Sequence, residues 1–153
     1  MSALFPSGIA IMNQFDKKSL PYRALKNHLR LFQMDSRKLS LNSFYSKTFR
    51  QTLVPHEIIE KALVFSEEFT DYYTLYQLLL FHFQEKRGDE FFELIEENIS
   101  KANHYFKTVF RTFLRHKQYI QNALLWTYKK RRPIWSSLDV NFSSPTTVDK
   151  ESN

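Results

Sequence analysis

Between Leu20 and Pro133 the apolar residues recur every three or four positions, the spacing of one helical face. Ser19-Leu20-Pro21 opens the first run, because proline in the first helical turn loses no needed hydrogen bond. Leu25, Leu29 and Phe32 share its face. Asp35 or Ser36 is suited to cap a second helix, with Leu41, Phe44, Tyr45, Thr48, Phe49 and Leu53 as its stripe and Pro55 as its end. Pro55 also opens a third, with Glu57 and Glu60 where the helix dipole favours acids and Ile58, Ile59, Ala62, Leu63 and Phe65 on its apolar side. Ser66-Glu67-Glu68 restarts the pattern. From Phe69 to Phe83 apolar residues almost encircle the helix, which predicts a central, buried element.

Glu85-Lys86-Arg87-Gly88 reads as a stop, with cations in the last turn and a glycine after it. Asp89 is expected to cap a short acidic helix carrying Phe91, Phe92, Leu94 and Ile95. Ile99 to Arg131 contains no Pro or Gly. Phe106, Val109, Phe110, Phe113 and Leu114 form its stripe, which Ile120, Leu124 and Tyr128 extend. That pattern predicts one long helix, or two with a bend near His116-Lys117, closed by Lys129–Arg132 and Pro133. No repeat and no strand is expected. The fold class is all-α: one globin-like domain of about six or seven helices, or else a helical bundle. Residues 1–18, interrupted by Pro6, Ser7 and Gly8, read as an irregular arm; 19–135 as the helical domain; 136–153 as a flexible tail.

Composition sharpens this picture. Fifteen Phe, eight Tyr and two Trp stand among only two Gly and no Cys in 153 residues. Scarce glycine argues for long helices and against a glycine-rich phosphate cradle. Absent cysteine removes thiol nucleophiles, disulfides and Cys-based zinc sites. Helices lined with large rings stand further apart than helices lined with Gly and Ala. The rings either fill the space between them or leave a slot for an apolar ligand, and both outcomes fit the pattern. The first fifteen residues lack the basic start of a secretory leader, and no apolar run reaches membrane-spanning length. A cytoplasmic protein is therefore expected.

Charge is unevenly spread. Residues 1–56 carry 9 Lys+Arg against 2 Asp+Glu, residues 57–97 carry 3 against 11, and residues 98–153 carry 10 against 3. The net of +6 invites a nucleic-acid reading, but the acidic middle segment speaks against it. The preferred expectation is that acidic and basic helices neutralise each other within the fold or across a dimer, with no nucleic-acid partner. The rival is a basic helical regulator that grips nucleic acid with Lys129–Arg132 and the basic N-terminal half.

The histidines are His28, His56, His82, His104 and His116. A globin-like order raises the question of haem, with His82 on the most apolar helix as the axial candidate and His104 as the second. The preferred expectation is no haem and no metal, since no His pair stands at metal-ligand spacing on a helix. Glu90, Glu93, Glu96 and Glu97 read as a solvated or partner-facing surface rather than an acid/base pair. No nucleophile motif is present, and the chain is expected to be non-enzymatic. Lys107, Arg111 and Arg115 stand one turn apart beside the Phe106, Phe110 and Phe113 stripe. An amphiphile needs an apolar slot and a cation at its mouth. Tyr72, Tyr76, Leu79, Phe83, Phe106, Phe110 and Phe113 are the candidate slot, and Arg111, Lys107 and His104 the candidate mouth.

The helical pattern from Leu20 to Pro133, the aromatic stretches Phe69–Phe83 and His104–Tyr128, and the absence of any attached kinase region give the chain a family likeness. It resembles the globin-like sensor domains of sporulation histidine kinases of spore-forming bacilli. The likeness is greatest to the stand-alone, plasmid-encoded versions that inhibit sporulation. The resemblance implies a haem-free globin fold, a fatty acid in an apolar tunnel, a bound halide such as chloride, and a homodimer. It also implies antagonism of a homologous sensor kinase, by titrating its signal or by occupying its interface.

Overall fold

The computed structural model describes residues 4–130. Among them are eight α-helices and one small hairpin: α1 (Phe5–Met12), α2 (Leu20–Asn27), α3 (Leu29–Gln33), β1 (Phe44–Ser46), β2 (Gln51–Leu53), α4 (Pro55–Leu63), α5 (Glu67–Gln84), α6 (Gly88–Asn98), α7 (His104–Arg115) and α8 (Lys117–Lys130). The fold is all-α apart from that hairpin. Pro133, the tail from 136 and Arg131–Arg132 lie outside the described residues, as do the side chains of Tyr128, Lys129 and Lys130.

The helix starts follow the capping chemistry. The hydroxyls of Ser19 and Ser66 and the amide oxygen of Asn103 accept from the backbone N–H groups of Tyr22, Phe69 and Phe106, and Pro55 opens α4. The long C-terminal stretch breaks at His116, so it is two helices. α8 runs back along α6: Lys117 Nζ pairs with Glu96 at 3.1 Å, and Gln121 Nε2 donates to Asp89 Oδ1 at 3.1 Å.

Four local expectations change. Residues 5–12, read as part of an irregular arm, form α1, which packs on α5 and α7 with Leu4, Ser7 and Ile11 buried. Pro6 sits in the first turn, where it is tolerated, and Gly8 serves close approach: a Cβ there would meet the Tyr72 ring at 2.8 Å. The helix expected across 20–32 is broken at His28 (φ −117°, ψ 18°). The helix expected across 36–53 is a single 3-10 turn at Ser36–Lys38, capped by Asp35 as foreseen, followed by the antiparallel hairpin. There Phe44 pairs with Leu53, Tyr45 with Thr52 and Ser46 with Gln51. Those aromatic and β-branched residues suit a pleated, half-buried surface as well as a helix face, and tertiary contacts to His28 decide between them. Lastly, α5 is not buried all round: Glu68, Asp71, Thr74 and Leu78 are exposed along one side.

The core is a chain of rings. Phe32 meets Phe69 edge-on at 5.1 Å, Phe69 meets Tyr72 at 5.4 Å, Tyr72 stacks on Phe106 at 5.3 Å, and Phe106 stacks on Phe110 at 5.2 Å. A second group centres on Phe91, with Phe92, Phe83 and Phe113 at 5.2, 5.8 and 5.9 Å. Each such pair adds about 0.5–1.5 kcal/mol beyond the area it buries. The Tyr76 hydroxyl donates to Gln33 O at 2.9 Å, and the Gln77 amide bridges Met34 O and Ser36 N at 2.8 and 3.0 Å. Together these bonds hold the end of α3 against α5.

The stop after α5 uses a different residue from the one expected. Lys86 takes the left-handed conformation (φ 60°), Lys86 N donates to Phe83 O at 3.2 Å and Arg87 N to His82 O at 2.9 Å. Gly88 instead begins α6 beside Gln121 and Leu124. A left-handed side chain costs about 1–2 kcal/mol, of which glycine's extra chain entropy returns about 0.5–1. Lys86→Gly is therefore expected to stabilise the protein by about 0.5–1 kcal/mol, read as a rise of a few degrees in the thermal midpoint. A fall would contradict this account of the turn.

Candidate functional site

Two surfaces stand out. The first is a groove of about 430 Å³ between the N-terminal half of α5, the end of α6 and the start of α7. Leu75, Leu78, Leu94 and Ala102 give it an apolar wall, and Tyr72 and Phe106 form its base. Glu68, Asp71, Asn98, Lys101 and Asn103 supply the polar groups. Burial, and secondarily the neighbouring Tyr76, pushes the Tyr72 phenol far above its ordinary range, so it remains a neutral hydrogen-bonding group.

Of the residues expected to form an apolar tunnel, Tyr72 and Phe106 line this groove. Tyr76, Leu79 and Phe110 are buried in the ring-filled core, and Phe83 and Phe113 close around Phe91 further along α5. None of the expected mouth residues lines the groove: Arg111 and His104 are exposed and Lys107 is half-buried on α7. The groove's cation is Lys101, in the α6–α7 connection. The sequence did hold a signal for the wall, because Glu68, Asp71, Leu75 and Leu78 fall at one-face spacing on α5. The wide apolar circumference of that helix masked it. His82, the axial candidate for haem, is half-buried with its ring edge on Phe81 at 5.3 Å, and its buried Nδ1 has no hydrogen-bond partner among the described residues.

The second surface is basic. Arg23 and Lys26 are exposed one turn apart on α2, and Arg30 is exposed on α3 beyond the break at His28. Asn27 Nδ2 donates to Thr48 Oγ1 at 2.9 Å, which brings the hairpin turn, with Lys47 and Arg50, beside α2. His28 fastens the same junction: its Nε2 lies 3.2 Å from the Ser46 hydroxyl, and its ring stacks on Phe49 at 6.0 Å. The Ser46 oxygen also accepts from Phe49 N at 3.3 Å. Lys38 adds a further exposed cation after the 3-10 turn. Arg37 is occupied: it forms ion pairs with Asp35 at 2.8 Å and Glu85 at 3.2 Å and lies 4.7 Å over the Phe81 ring. The hydrogen-bonded Arg37 guanidinium holds the Asp35 carboxyl below the usual carboxylate range.

The expected mutual neutralisation is slight. Among the described residues, the ion pairs joining acids of 57–97 to cations elsewhere are Glu85 with Arg37 and Glu96 with Lys117. Arg23, Lys26, Arg30, Lys38, Lys47 and Arg50 have no ion-pair partner among the described residues. No group of three or more His, Asp or Glu stands together as a metal site among the described residues, and no helix there is long and apolar enough to cross a membrane. Comparison of the chain with protein-family models, curated proteins and solved structures finds no match.

Burial lowers the His28 pKa below 6.5, so protonation opposes the folded state. Its contribution to stability is present above pH 6.5 and is lost as the pH falls through the depressed value. His28→Gln is expected to flatten the acid limb of a stability-against-pH curve between about pH 7 and 5. An unchanged limb would show that burial does not depress the His28 pKa in the folded state.

Proposed function

We propose that this protein binds nucleic acid through the basic face formed by α2, α3 and the hairpin. The observation that carries the reading is a set of exposed cations without ion-pair partners among the described residues, Arg23 and Lys26 on α2 and Lys47 and Arg50 at the hairpin turn, which the Asn27–Thr48 bond brings together, with Arg30 and Lys38 nearby in sequence. Phosphates reward such an arrangement, because each contact releases condensed counterions. Mutual cancellation of the acidic and basic segments within the fold or across a dimer is the argument against nucleic acid; among the described residues of the single chain, two ion pairs, Glu85 with Arg37 and Glu96 with Lys117, support its first form. The Lys129–Arg132 cluster lies outside the described side chains. Affinity for a labelled oligonucleotide, followed by fluorescence polarisation, is expected to fall steeply between about 50 and 200 mM salt. Joint replacement of Arg23, Lys26 and Arg30 by glutamine is expected to weaken binding on the order of tenfold or more and to lower the salt slope. Absence of binding at low salt would overturn the reading.

A second reading is ligand sensing, as the family resemblance implies, and the groove favours it. A fatty acid would lay its chain along Leu75, Leu78 and Leu94 and its carboxylate on Lys101. In that reading the domain antagonises a homologous sensor kinase by depleting its signal. The carboxylates of Glu68 and Asp71 oppose an anionic head group there, which is why this reading stands second. Native mass spectrometry of protein purified from cells is expected to show a bound lipid that Lys101→Glu releases. A lipid-free spectrum, unchanged when fatty acid is added, would remove it.

A further inference from the structure

We propose that the outer face of the hairpin is a stacking platform that selects single-stranded over duplex nucleic acid. The inference rests on the nucleic-acid reading and narrows it. Strand alternation divides the hairpin into two faces. Ser46 and Leu53 turn inward and are buried, with Ser46 held by His28. Tyr45 and its cross-strand partner Thr52 turn the other way, and Tyr45 is 59% exposed. Leu41, before β1, is 85% exposed, and Phe44 is 42% exposed with one side toward His28. Phe44, paired with Leu53, belongs to the inward face and is only partly covered there, so Tyr45 is the ring that the outer face presents to solvent, with exposed Leu41 just before the strand.

The charges around them say what covers them. From Ser36 to His56 the chain has no Asp or Glu, and Lys38, Lys47 and Arg50 are its cations without an ion-pair partner among the described residues, Arg37 being held by Asp35 and Glu85. A second copy presenting the same face would meet it with like charge, and a protein interface of ordinary composition depletes charge at its centre. A polyanion with exposed flat apolar faces fits both features: bases stack on the ring while phosphates reach the cations. In a duplex the base faces are already stacked on one another and inaccessible to Tyr45, whereas a single strand can splay them. Each strand of the hairpin spans about 10 Å, room for two or three bases. Arg50 takes the left-handed conformation (φ 55°) at the turn of the same hairpin that carries Tyr45, and Thr48 of that turn is bonded to Asn27 of α2.

The test is fluorescence polarisation of the full chain with a labelled oligo(dT) of about 12 nucleotides and a mixed-sequence duplex of equal length, at low salt. The single strand is expected to bind on the order of tenfold more tightly than the duplex. Tyr45→Ala is expected to remove most of that difference while leaving duplex affinity and the thermal midpoint unchanged, and Tyr45→Phe, which keeps the ring, to restore it. Equal affinity for strand and duplex, or a Tyr45→Ala variant that still discriminates, overturns the platform while the basic-face reading survives. Failure to bind either probe overturns both.

Discussion

Stacked rings between helices are the constraint on which the rest of this structure depends. Phe32, Phe69, Tyr72, Phe106 and Phe110 form an unbroken series that ties α3, α5 and α7 together. α1 joins it because Gly8 lets the Tyr72 phenol approach the backbone. Small residues are scarce, so the helices cannot close on each other directly, and their separation is set by ring thickness. A groove of about 430 Å³ lies where the N-terminal half of α5, the end of α6 and the start of α7 meet. Tyr72 and Phe106 belong to both places, serving as the floor of the groove and as members of the series.

The same architecture separates the two charge regimes. α4, α5 and α6 carry the acids, several in the first turns where the helix dipole supports them without a cation: Glu57, Glu67, Glu68, Asp89 and Glu90. That local support is one reason the acids do not need the basic half. The basic residues are left on α2, α3 and the hairpin, where the Asn27 and His28 contacts gather them. The functional proposals follow from this segregation, not from any catalytic constellation.

Much of the fold was legible because helix signals are local. Ser19, Ser66 and Pro55 opened helices where expected, and Asp35 capped its turn. The break between α7 and α8 fell at His116. The misreadings share a cause. Pro6, Ser7 and Gly8 are poor helix residues by propensity, yet α1 forms because burying Leu4 and Ile11 against α5 and α7 outweighs that weakness. Phe44, Tyr45, Thr52 and Leu53 satisfy a helical stripe and a strand face alike, and only the inward pull of Ser46 and Leu53 selects the strand. The groove was less legible than the fold: of the residues picked out by aromatic spacing, Tyr72 and Phe106 line it, whereas Lys101 lies in a connection with no periodicity to read.

The sequence by itself determined helix starts, the aromatic character of the interior and the alternation of basic and acidic segments, since each is a property of neighbouring residues. Only the tertiary structure decided which rings meet one another across α3, α5 and α7. It alone also decided that the hairpin turn would join α2 through Asn27 and Thr48. Those outcomes depend on distances between residues far apart in the chain, which spacing along it does not encode.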